Sequence, residues 1–320
     1  MIPAFLSNSS TGADLACPEL GVPSGRQLEL PGRGTTWVRE HEGPPGARPV
    51  VLLHGLGATG GLNWAGAFDH LGQRFRVISV DHRGHGRGIR TRRFRLEACA
   101  DDVAALITQL ELRDPLLVGY SMGGPIATLT WRRHPDLVGG LVLCATSRNF
   151  SGSPAEKLTF AAFAAAGLSS LLLPQRLLFP EQIVRQLGSV FCALPVPLAG
   201  KRLKWAVDEL AGHEAHAVLQ AAAEIGRFNA SEWISGIDVP SAVVAHTNDQ
   251  VVPLRRQLRL AAAIPHAILR EVPAGHAAVA GGPEREAFLD ALMEACEEVH
   301  VACRKTSLPR GRGAGARFAS

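Results

Sequence analysis

The chain lacks most of the features by which a sequence declares a special setting. None of its six cysteines, at positions 17, 99, 144, 192, 296 and 303, belongs to a C-x-x-C pair. Cys99, Cys144 and Cys296 fall in apolar helix or strand patterns that suit buried thiols, so a reducing compartment, the cytoplasm, is expected. The first 24 residues have no basic stretch before their short apolar run, which argues against a cleaved leader. Asp14 spoils Leu15-Ala16-Cys17 as a lipidation box, and residues 1–24 are expected to be a flexible extension. No long uncharged run reads as a clear membrane span. The best, residues 158–175, lies at the lower limit and contains Gly167, Ser169, Ser170 and Pro174. Buried or lid helices are expected there, with membrane contact transient at most. No internal repeat is present.

A basic face is missing as well. The net charge of +4 comes from the end of the chain, where Arg304, Lys305, Arg310, Arg312 and Arg317 stand without an acid. The 33 basic residues less these five leave 28 against 29 acidic, so the body is near neutral. That excludes a broad surface for nucleic acid. Residues 304–320 have the composition of a disordered basic tail.

What is present is alternation. Short apolar runs, read as strands at Arg26–Leu30, Thr35–His41, Val50–Leu53, Val77–Val80, Pro115–Val118 and Leu141–Cys144, are separated by turns and amphipathic segments. Helices are expected around Trp64–Leu71, over Leu96–Leu110, where Val103, Leu106, Ile107 and Leu110 recur at helical spacing, and over Gly124–His134. The pattern resumes with strand Ala242–Ala245, helix Leu254–Ala262, strand Ile268–Val272 and helix Glu284–Val299. Such alternation predicts an α/β fold, a mostly parallel sheet with helices on both faces. Between the two blocks, residues 147–234 are rich in Ala and Leu and punctuated by Pro174, Pro180, Pro195 and Pro197. They read as a helical cap inserted before a late strand and lying over the carboxyl ends of the sheet. The core is then 25–146 plus 235–303.

The chemistry is carried by Gly119-Tyr120-Ser121-Met122-Gly123. A strand precedes it, a helix follows it, and a serine stands at the apex of the turn between them. A serine hydroxyl is a poor nucleophile until a base takes its proton, and that base needs an acid to hold its tautomer. Asp249, in the polar loop after Val243-Val244-Ala245, is the candidate acid. His276, after Glu271-Val272-Pro273-Ala274-Gly275, is the candidate base. Asp238, His266, His300, His213 and His216 are less well placed along the chain. An oxyanion formed on an attacked carbonyl needs backbone N–H donors. Met122, after the serine, and Leu56, in His54-Gly55-Leu56-Gly57, are the candidates. Gly55 and Tyr120 are expected to border the substrate, and His54 is read as a structural histidine.

Together these segments resemble the α/β-hydrolase superfamily, in the group with an H-G-x-G oxyanion loop, over residues 25–300. The loop Asp81-His82-Arg83-Gly84-His85-Gly86, structural in that family, and Gly124 after the elbow extend the resemblance. It implies a serine hydrolase with no metal and no organic cofactor, acting through an acyl-enzyme on small-molecule esters or thioesters of apolar acyl groups. The cap is rich in Leu, Ala and Phe, with Phe160, Phe163, Leu171, Leu172, Leu173 and Phe179 among them, so an apolar pocket is expected. Three alternatives stay open. Asn63-Trp64 resembles part of the oxyanion loop of carbon–carbon bond hydrolases. The Gly-Tyr-Ser-Met-Gly-Gly elbow is shared with cofactor-free perhydrolases. A non-catalytic ligand-binding protein on the same fold is the third. The oligomeric state is not legible.

Overall fold

The computed structural model describes Cys17, residues 20–169 and residues 200–306. Eight strands form one sheet: β1 (Gly25–Leu30), β2 (Gly34–His41), β3 (Pro49–Leu53), β4 (Arg76–Val80), β5 (Leu116–Tyr120), β6 (Gly140–Cys144), β7 (Ser241–His246) and β8 (Ile268–Val272). Their spatial order is β1-β2-β4-β3-β5-β6-β7-β8. β1 and β2 pair antiparallel, β2 joins β4 antiparallel, and from β4 to β8 every pairing is parallel. The chain is an α/β-hydrolase fold.

Both faces of the sheet are covered, which is why its central strands are continuous apolar runs instead of alternating ones. On β3, Val51 and Leu53 enter the core on one face, and Val50 and Leu52 enter the core on the other. Helices α3 (Leu96–Gln109) and α4 (Gly123–Arg133) pack on the first face. Helices α1 (Gly60–Trp64) and α2 (Ala67–Gly72), with the late helix α9 (Arg285–Thr306), pack on the second. α8 (Leu254–Ala261) links β7 to β8. The strand order reverses between β3 and β5. A ligand crevice in an open α/β sheet forms at such a switch point, outside the carboxyl ends of the strands.

Between β6 and β7 the described elements are helical: α5 (Pro154–Ser169), α6 (Gly200–Ala211) and α7 (Ala215–Arg227). α5 packs on α7. α6 is tied to the sheet by a buried ion pair, Glu209 Oε1 to Arg39 Nη2 of β2 at 2.7 Å. Leu171, Leu172, Leu173, Phe179 and Cys192 lie outside the described residues, as do most of residues 1–19 and residues 307–320.

Three expectations are corrected. The single helix around Trp64–Leu71 is two, because Gly66 adopts a φ of 81° and ends the first at Ala65. The last helix runs past Val299 to Thr306, so Arg304 and Lys305 belong to it and not to a tail. Within the expected N-terminal extension, Cys17 and Val22 bridge each other and are buried in the core around α2.

Candidate active site

The elbow is shaped by close approaches. Ser121 has a φ of 51°, a left-handed conformation that a non-glycine residue adopts only when its surroundings impose it. Those surroundings are specific. The Ser121 N–H donates to the Cys144 carbonyl at 3.0 Å, and its own carbonyl accepts from Gly124 N at 3.0 Å and Thr146 Oγ1 at 2.7 Å. The strand must also pass tightly against the helix that follows. A β-carbon on Gly119 would run into the Gly123 carbonyl, and one on Gly123 would run into the Leu53 carbonyl. The small residues around Ser121 are therefore packing requirements of the turn.

β7 and β8 deliver the partners. Asp249 lies in the loop after β7, only 4% exposed. Its Oδ1 accepts from the N–H groups of Val251 and Val252, each at 2.8 Å. Its Oδ2 lies 2.7 Å from His276 Nδ1, and Gln257 Nε2 approaches that oxygen at 3.3 Å. His276 Nε2 in turn lies 3.1 Å from Ser121 Oγ. The structure thus brings Ser121, His276 and Asp249 into one hydrogen-bonded line across three loops. The His276 loop is fastened on both sides of the ring. Gly275 N donates to Glu284 at 2.6 Å, the Gly275 carbonyl meets His246 Nδ1 at 2.9 Å, and Tyr120 Oη donates to the His276 carbonyl at 2.7 Å. Asp238, outside this line, accepts from Trp131 Nε1.

The loop after β3 closes the other side. Gly55 sits against the elbow, where an added β-carbon would lie 3.4 Å from that of Ser121. The Gly55 N–H donates to Asn63 Oδ1 at 2.9 Å. His54 is fully buried, with Nε2 accepting from His82 N at 2.9 Å and Nδ1 2.8 Å from the Gly55 carbonyl. Burial lowers its pKa to about 3, so it stays neutral and structural. Asp81 caps the turns around it, accepting from Gly60 N and Arg87 N.

Ser121, His276, Gly55, Leu56 and Tyr120 all border one cavity of about 390 Å³. Its remaining wall is largely apolar, with Leu62, Phe150, Phe160, Phe163, Ile225 and Val252 prominent. Phe160 and Phe163 come from α5 and Ile225 from α7, so these two helices contribute part of the cavity wall. Two charged residues of that wall, Glu156 and Arg256, were not singled out by sequence reading, nor was Gln257. Each works through a partner at least eight residues away, and only the fold creates those pairings.

Residues 48–283 match the family model described as alpha/beta hydrolase fold. The chain belongs to that family and is a hydrolase. It is 32% identical over 253 residues to the pimeloyl-[acyl-carrier protein] methyl ester esterase of Chromobacterium violaceum, a match spanning 78% of this chain and 94% of that one. Among solved structures it resembles a hydrolase from Pseudomonas aeruginosa PA01, at a TM-score of 0.69 and 21% identity, covering 85% of this chain and 98% of the other. An esterase from Exiguobacterium antarcticum gives a TM-score of 0.67 at 22% identity, over 86% and 99% of the two chains.

Proposed function

We propose that this carboxylic ester hydrolase works through an acyl-enzyme on Ser121 and prefers esters of apolar acyl groups. The observation that carries the reading is the line from Asp249 Oδ2 through His276 to Ser121 Oγ, at 2.7 and 3.1 Å, opening onto an apolar cavity. In this reading His276 Nε2 takes the hydroxyl proton as Ser121 attacks the ester carbonyl, then returns it to the departing alcohol. Asp249 keeps the Nδ1 proton facing it and offsets the positive charge that develops on the ring. A water molecule, activated by His276 in the same way, releases the acid.

The oxyanion would rest on the N–H groups of Leu56 and Met122. The Gly55 N–H is already committed to Asn63, which leaves the next residue of that loop as its donor. The Chromobacterium violaceum relative, named for a methyl ester, supports an ester as substrate. The residues between β6 and β7 act as a cap that shapes the acyl site, and no cofactor is needed for this chemistry. The protein is expected in the cytoplasm. Among the described residues no helix is long and apolar enough to cross a membrane.

The test is an acyl-length series of p-nitrophenyl esters. Each methylene buried in the cavity should raise kcat/KM by up to about fourfold, from about 0.8 kcal/mol of transfer free energy. A profile that is flat or falling beyond acetate contradicts the apolar-acyl reading. Strong turnover of a vinylogous diketone in its place would favour carbon–carbon bond hydrolysis.

A further inference from the structure

Among the described residues lining the cavity, those besides His276 that can carry charge near neutral pH are Glu156 and Arg256, and they are paired with each other. Arg256, on α8, places Nη2 at 2.7 Å from both carboxylate oxygens of Glu156, on α5. Its Nη1 donates to the Phe150 carbonyl at 2.6 Å. Glu156 is held from the other side too, with Oε2 accepting from Gly152 N at 2.7 Å and Ser153 N at 2.9 Å. Ser153 Oγ accepts from Glu156 N at 3.2 Å, completing a capping box at the start of α5. The pair joins the segment over the site to the helix that follows the Asp249 loop.

We propose that Glu156 is a specificity-determining residue: by occupying Arg256 it makes the cavity select uncharged acyl groups and reject those that end in a carboxylate. This rests on the ester reading above and adds the charge of the acyl group to it.

Charge balance in a partly desolvated site sets this selectivity. An acyl carboxylate entering an apolar wall loses water and needs a cation in return. Among the described lining residues Arg256 is the cation, and its guanidinium already meets a carboxylate through two contacts. To reach it, the substrate would have to displace Glu156, exchanging one carboxylate for another and leaving Glu156 without its counter-charge. Glu156 does not yield by taking up a proton. Arg256 first, then the Gly152 and Ser153 N–H groups, hold its pKa down to about 2. The side chains are 16% exposed for Arg256 and 37% for Glu156, so water softens the effect without abolishing it.

Removing only the negative charge should therefore recruit Arg256 as a carboxylate receptor. Glu156→Gln is the appropriate change, because glutamine also serves in a capping box. The measurement is kcat/KM for p-nitrophenyl hexanoate and for mono-p-nitrophenyl adipate, two acyl groups of equal length that differ in a terminal carboxylate. Wild type should favour the hexanoate strongly. In Glu156→Gln the adipate/hexanoate ratio should rise by about tenfold, the factor expected for gaining one partly exposed, charge-assisted contact. Adding Arg256→Met to it should return the ratio to the wild-type value. Arg256→Gln alone leaves Glu156 unpaired and should lower the ratio below wild type. Hexanoate turnover in each variant reports that the site is assembled. A ratio that is the same in wild type, Glu156→Gln and Arg256→Gln, with hexanoate still turned over, overturns the role of the pair and leaves the ester reading standing. A wild-type protein that does not turn over the hexanoate overturns the ester reading itself.

Discussion

Tyr120 donates its hydroxyl to the backbone carbonyl of His276 at 2.7 Å, so the residue before Ser121 fastens the loop that carries the histidine facing it. Tyr120 is the only tyrosine in the chain and is 2% exposed. Its ring packs edge-on against Trp64, His246 and Phe288. Part of its surface lines the cavity. The hydroxyl ties the turn before Ser121 to the loop that carries His276.

Tyr120→Phe keeps the ring and removes that bond. A buried hydrogen bond contributes about 0.5–1.5 kcal/mol net, so kcat should fall by up to about tenfold with KM nearly unchanged. Steady-state kinetics on a single ester check this. An unaltered kcat would show that the hydroxyl does not position His276, and a rise in KM alone would assign it to substrate binding.

Asp249→Asn should act through the tautomer. Two N–H groups, those of Val251 and Val252, already point at Oδ1, so the amide oxygen of an asparagine must stay there. The amide nitrogen is then forced to face His276 Nδ1. Two donors cannot share that contact, and the ring proton moves to Nε2, where it blocks acceptance from Ser121. Turnover should fall by about 10⁴ while substrate binding persists. Comparable turnover in the variant would mean that another acid serves.

Much of the fold was legible because its signals are local. The strand β5, the Ser121 turn and α4 are contiguous, and the apolar runs of β3 and β6 report a sheet buried on both faces. The misjudged parts depend on distant partners. Helix Trp64–Leu71 breaks at Gly66 against Arg285, whose Nη2 donates to the Ala65 carbonyl. Glu209 has no local signal of its role, and its partner Arg39 lies 170 positions earlier. At the site, Ser121, Asp249 and His276 follow strands in a readable order. Gln257, Glu156 and Arg256 leave no such trace, since their partners are set by how α8 and α5 meet.

Acid should destabilise the protein through a cluster of neutral histidines. His54 stacks within 4.2 Å of His82 and 5.4 Å of His85, and His85 lies 5.4 Å from His213 of the segment between β6 and β7. Burial lowers the pKa of His54 to about 3 and of His213 to about 4, and pushes those of His82 and His85 well below the ordinary value. The unfolded chain binds these protons from about pH 6.5 downward while the folded chain does not. Stability is therefore present above pH 6.5 and lost progressively as pH falls toward 4. Thermal melts at pH 7.5 and pH 5 measure it. A Tm that is the same at both values would contradict the neutral, buried assignment.

Ser121 is the proposed nucleophile, and turnover of a p-nitrophenyl ester by Ser121→Ala tests that role most directly. Loss of a triad nucleophile typically costs about 10⁶ in kcat. We expect a loss of that order, with a melting temperature close to wild type, because the backbone bonds to Cys144, Gly124 and Thr146 hold the turn without the hydroxyl. A Ser121→Ala protein that keeps even a tenth of wild-type turnover would contradict the acyl-enzyme reading.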